Sequence, residues 1–112
     1  MIYSTPFAER TLDLVKQSGE RLTLTVQFGP IYKKDRDFRC KIAFIGWGES
    51  PPDIWGADSL QALISAITLV HSMLHEFVVR GGRVLYPGTE IDFDLEGFLT
   101  SPEYPRSAQD VS

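Results

Sequence analysis

Residues 58–82, "DSLQALISAITLVHSMLHEFVVRGG", constrain the fold more than any other stretch. Leu60, Leu63, Ile64, Ile67, Val70, His71, Leu74, Phe77 and Val78 recur at three- and four-residue intervals, which is the period of a helix with an apolar side. Asp58 is placed to cap its start, with Gln61 three residues on as a capping-box partner. Gly81 and Gly82 end it, and Arg80 puts a cation in the last turn, where it suits the helix dipole. A run of about 22 residues makes a rod roughly 33 Å long. An apolar side of that length needs a sheet or a second long helix to lie on, and the rest of the chain offers strands.

The clearest strand is Leu22, Leu24, Val26 and Phe28 alternating with Thr23, Thr25 and Gln27, a half-buried period of two. Before it, Leu12 and Leu14 alternate with Thr11 and Asp13, and "QSGE" supplies a turn between the two. After a mixed-charge connection, "GPIYKKDRD", a third strand places Phe38, Cys40, Ile42 and Phe44 on one face and Arg39 and Lys41 on the other. Beyond the helix, "RVLYPG" is a short strand. "TEIDFDLEGFL" is another, with Ile91, Phe93 and Leu95 against Glu90, Asp92, Asp94 and Glu96. The expected fold is α+β: an antiparallel five-stranded meander-type sheet with one long helix packed on one face, in the order β-β-β-α-β-β. Residues 1–100 are expected to form a single domain, and 101–112 a polar C-terminal tail.

A chain of 112 residues holds one core. A single cysteine excludes an internal disulfide framework and fits a reducing compartment. The N-terminus lacks a secretory pattern. Gln61, Ser65, Thr68, Ser72, His75 and Glu76 interrupt the longest apolar run, so no membrane span is expected. The expected location is cytoplasmic. Net charge is −4, with residues 1–48 at +3 and residues 49–112 at −7. That balance argues against nucleic acid as a partner.

Groups able to carry chemistry are sparse. His71 and His75 are four apart, a spacing able to hold a metal, but Ser72 stands where a zincin needs glutamate and no third ligand is evident. No metal and no cofactor are therefore expected. Cys40 falls on the inner face of a strand, where a buried inert thiol is the expectation. No serine or glycine-rich loop lies in a nucleophile or phosphate-binding pattern. The residues do not assemble a base, a nucleophile and an oxyanion donor, so an enzyme is not expected and no catalytic residue is named.

Two surfaces suit binding instead. One is the row Glu90, Asp92, Asp94 and Glu96 on a predicted strand face. The other is the loop before the helix, with Trp47, Glu49, Asp53 and Trp55. In that loop Pro51 and Pro52 limit the chain's freedom. Ile54 or Trp55 is placed either to fold onto the first helical turn or to stand out as a binding anchor. A second helical stripe, Ala62, Ala66, Leu69 and Met73, is either covered by the chain or the seam of a homodimer.

At "CKIAFIGWG" and at Gly56, Asp58, Ser59, Gln61, Ala62 and Leu63, a "G-x-D-S-x-Q-A-L" helix start, the chain resembles a group of small, largely uncharacterised bacterial proteins. The resemblance spans about residues 9–98. It implies a compact α+β fold and transfers no activity. Small acidic bacterial domains of this kind in turn resemble immunity proteins, which bind and block a toxin. The expectation is a non-enzymatic interaction protein, of the immunity-protein kind, whose acidic and aromatic surfaces meet a protein partner such as a basic toxin. The alternative is a small-ligand-binding or regulatory domain with a pocket between helix and sheet, near His71, Cys40 and Trp55.

Overall fold

The computed structural model describes residues 6–97. Strands β1 (Ala8–Val15), β2 (Arg21–Lys34), β3 (Asp37–Ile45) and β4 (Ile54–Gly56) precede helix α1 (Ser59–Val79), and β5 (Arg83–Leu85) follows it. All neighbours are antiparallel, and the strands lie side by side in the order β4-β3-β2-β1-β5. The helix therefore joins the two edges of the sheet and crosses one face of it, which is the five-stranded α+β arrangement expected from the sequence.

Alternation sets the faces. Leu12, Leu14, Leu24, Val26, Phe28, Cys40, Ile42 and Phe44 are buried on the helix side. From α1 they receive Ala62, Ala66, Val70 and Leu74, a stripe at four-residue spacing. Small residues at 62 and 66 let the first half of the helix approach the sheet closely. Gly56 sits beneath it, where a Cβ would lie 2.4 Å from the Ala62 nitrogen. The helix start follows the expectation. Asp58 Oδ1 accepts from the Gln61 N–H at 2.7 Å, and Gln61 Oε1 accepts from the Ala57 N–H. At the other end Gly81 takes φ 99°, and the Gly82 N–H donates to the Phe77 carbonyl at 3.0 Å.

Several expectations change. Ala62 and Ala66 have 0% exposure, so they form the seat of the helix and not a homodimer seam. Leu69 and Met73 flank that seat, partly buried. The outward side of the helix instead carries Leu60 and Ile64, 63% and 51% exposed. By length and composition α1 is apolar enough to cross a membrane, which corrects the expectation that its polar interruptions forbid it. The core helix of an α+β domain meets the same requirement.

The mixed-charge connection 29–37 is mostly strand. β2 and β3 run on past a bulge between Phe28 and Ile31 and turn over Asp35 and Arg36, with Asp35 at φ 57°. The predicted loop before the helix contains β4, too short to show a period. After the helix, the second arm of the expected hairpin is reduced to a bridge between Leu85 and Asp92. The predicted strand's end at Phe98 and the tail 101–112 lie outside the described residues.

Candidate functional site

The acidic row is not a strand face. Glu90 pairs with Arg21 and with Arg83, and Asp92 accepts from Arg83 at 3.1 Å. Asp94 Oδ1 accepts the Glu96 N–H at 3.0 Å, which makes a local turn. Two of the four acids thus balance basic side chains of β1's two neighbours. Alternation misleads here because, among the described residues, backbone pairing with the sheet covers only Ile91–Phe93, so Asp94 and Glu96 do not continue Glu90 and Asp92 along a strand face.

Beneath this corner lies a buried carboxylate. Asp13 on β1 is 6% exposed. It accepts from Gly88 N–H at 2.8 Å, from Arg21 at 3.0 Å and from the Thr23 hydroxyl at 3.2 Å. The Gly88 N–H, joined by Arg21 and Thr23, holds its carboxyl below the ordinary range against burial, which pushes the other way. The cluster fastens the 86–90 turn to the sheet.

The two tryptophans are separated. Trp47 packs on the helix side, edge to face with Phe77 at 5.4 Å. Together with Met73, Ser72 and the Glu76–Arg80 ion pair it lines a cleft of about 400 Å³. Trp55 is on the opposite face of the sheet, 61% exposed, because Ile54 and Gly56 on either side of it turn toward the helix. Ile54 therefore makes the inward contact and Trp55 does not fold onto the helix. The pocket expected near His71, Cys40 and Trp55 is not assembled. Cys40 is fully buried and its thiol is pushed up chiefly by burial. The His71 Nε2–H donates to the Leu95 carbonyl at 2.9 Å, fastening the 91–97 segment to the helix.

Around Trp55 the helix-free face carries a distinct constellation. Register places Tyr32 of β2 opposite Arg39 of β3, and Arg39 opposite Trp55 of β4. Three side chains thus form one row across three strands, spanning about 10 Å at the usual strand spacing. Asp53 closes one side. It accepts from the Tyr32 hydroxyl at 2.5 Å and from Lys41 Nζ at 3.2 Å, and Lys41 Nζ also stands 5.0 Å from the centre of the Tyr32 ring. Donation to Asp53 pushes the Tyr32 phenol above its usual range. Arg39 is held differently. Its Nε is buried without a hydrogen-bond partner among the described residues, and the Asp37 carboxylate stands 3.8 Å from its Nη2.

Of the eight residues expected to bind a partner, only Asp53 and Trp55 belong to this group. Trp47 lies across the sheet, Glu49 is exposed on the 46–50 loop, and Glu90, Asp92, Asp94 and Glu96 belong to the post-helix segment. Tyr32, Arg39 and Lys41 are not among the site residues that the sequence singles out. The alternation of Arg39 and Lys41 against Phe38, Cys40 and Ile42 does put them on one outer face. What sequence does not show is the three-residue β4 that brings Trp55 beside them.

A protein-family model described as a domain of unknown function, DUF6968, matches residues 8–95. No curated protein and no solved structure matches the chain.

Proposed function

The chain belongs to the DUF6968 family of domains of unknown function, and we propose that it is a non-enzymatic interaction domain whose working surface is the helix-free face around Trp55. One observation carries this reading: a tryptophan 61% exposed is fixed by backbone pairing on a strand, in a row with Arg39 and Tyr32. Rigid exposed aromatics beside arginine are the residue types that dominate binding energies at protein interfaces. They lose little entropy on contact because strand pairing already orients them.

An immunity protein that captures a toxin is the form this reading takes for a small acidic domain. The acids at 90 and 92 are already matched by Arg21 and Arg83, so the acidic row is a weak attractor for a basic partner. Contact through Trp55 and its neighbours is the stronger basis. Replacing Trp55 with alanine is expected to weaken capture of the native partner about thirtyfold, the equivalent of a 2 kcal/mol hot spot, with the melting temperature unchanged. Capture equal to that of the wild type would overturn this assignment.

The cleft beside Trp47 favours a second reading, a binder of a small apolar ligand. Its volume, about 400 Å³, lies in the range of such sites. Met73→Phe would narrow it. Loss of a ligand's effect on Trp47 emission in that variant, with partner capture intact, would assign the activity to the cleft.

A further inference from the structure

We infer that the partner presented to this face is an extended acidic segment of a protein, laid along β4, with Arg39 taking one of its carboxylates. The inference rests on the interaction reading above and names the chemistry of the partner.

Three observations lead to it. First, the guanidinium of Arg39 is underused. Arg21 reaches Asp13, Glu90 and the Thr89 carbonyl, and Arg83 reaches Asp92 and Glu90. Arg39 makes the 3.8 Å approach to Asp37, too long for a hydrogen bond, although its side chain is 28% exposed and its Nε is covered. A planar fork held between two strands is suited to a bidentate carboxylate, whose two oxygens match two N–H groups.

Second, the face is locally basic in an acidic protein. Lys34, Arg39 and Lys41 lie on this face and Arg36 in the turn beside it, against Asp35, Asp37 and Asp53; Lys33, opposite Phe38, is on the helix side. Four positive charges against three negative, with Arg39 lacking a hydrogen-bonded acid, leave this arm complementary to an acidic chain. The net charge of −4 for the whole protein works against a polyanion as dense as nucleic acid, whose binding needs many phosphates neutralised.

Third, β4 is at the edge of the sheet, and only three residues of it pair with β3. An extended segment can lie beside an edge strand and place alternate side chains on one face. That puts an acidic side chain within reach of Arg39 and an apolar one over Trp55.

The test uses the full chain carrying Trp47→Phe, which keeps a ring against Phe77 and leaves Trp55 as the sole tryptophan. Its emission is followed during titration with an alternating Glu-Thr peptide, the matching Lys-Thr peptide, and an oligothymidylate of equal length, at low and physiological salt. The acidic peptide is expected to shift Trp55 emission saturably. Arg39→Gln is expected to raise its Kd at least tenfold, and Arg39→Lys, which keeps the charge and loses the fork, to raise it severalfold. Unchanged melting curves of both variants establish that the fold is retained. No saturable response to the acidic peptide, equal affinity in Arg39→Gln, or tighter binding of the oligothymidylate would each overturn the inference. Native partner capture that needs Trp55 yet survives Arg39→Gln would overturn it while leaving the interaction reading in place. Capture indifferent to Trp55→Ala would overturn both.

Discussion

Gly56 shows how one residue sets the helix's distance from the sheet. A methyl group there would press on the backbone of Ala62 at 2.4 Å, and backbone cannot step aside as a side chain can. Gly56→Ala is therefore expected to destabilise the protein by about 2–3 kcal/mol, the scale of overpacking in a tight core. A thermal melt checks this; an unchanged melting temperature would mean that the helix has room to spare. Cys40 makes the opposite kind of statement. It is fully buried, and burial, helped by the charge of Asp53 and opposed by a hydrogen bond with the Gly29 backbone, pushes its thiol up. A thiol in that state is a poor nucleophile. The native protein is expected not to react with a disulfide reagent at pH 8 within minutes, and to react fully once unfolded. Rapid labelling of the native protein would show that this strand opens. Gly56 is not legible in the sequence as a packing residue, because a glycine two positions before a helix cap reads equally well as loop. Cys40 is legible, since alternation with Arg39 and Lys41 already places it inside.

Among the elements, α1 and the first half of β2 are legible because each repeats its period over several turns or pleats, whereas past the bulge after Phe28 the mixed-charge residues of β2 read as a connection. β4 and the 89–97 segment are not legible. β4 has three residues, fewer than alternation needs, and its pairing is decided by the free edge of β3. The 89–97 segment alternates well but pairs with the sheet only around Asp92, before Asp94 and Glu96 form a local turn. The turn at 86–90 is tied down at Asp13, and His71 holds the Leu95 carbonyl against the helix. Long-range polar contacts of this kind leave no local pattern. The Asp13 cluster has a pH signature. Its folded pKa is lowered, so its stabilisation is complete above the free carboxyl value near 3.9 and is lost as pH falls through the lower folded value. Asp13→Asn is expected to cost about 2–3 kcal/mol at pH 7, the loss of a buried carboxylate with its charged and backbone donors. The gap in melting temperature between wild type and variant should hold from pH 7 to pH 5 and narrow below pH 4. A gap independent of pH down to pH 2 would mean that the charge of Asp13 does not matter.

Taken whole, the molecule has a helix side and an open side. The helix side holds the core, Trp47 and the His71–Leu95 contact, while Asp13 and Arg21 hold the 86–90 turn from the open side. On the open side β1 and β2 show mostly threonine and paired charges, including the Thr11–Thr25 hydroxyl contact at 3.0 Å. The β3–β4 end carries Trp55 and Ile45, 61% and 50% exposed. Composition suggests an acidic binding surface because it counts acids without knowing their partners. The fold commits Glu90 and Asp92 to Arg21 and Arg83, and it leaves the basic, aromatic end of the sheet uncovered. Site residues on three different strands come together only through the register, which is why Trp55 is legible as a candidate and Arg39 and Tyr32 are not.

Contact with the partner is expected through this open end and not through the acidic row. Quantitative co-purification from the native cell separates the two surfaces, comparing wild type with Trp55→Ala/Arg39→Gln and with Asp94→Lys/Glu96→Lys. The first double variant is expected to lose the retained protein at least thirtyfold, by the hot-spot scale of about 2 kcal/mol, and the second to retain it as the wild type does. Loss in the second with full retention in the first would contradict this.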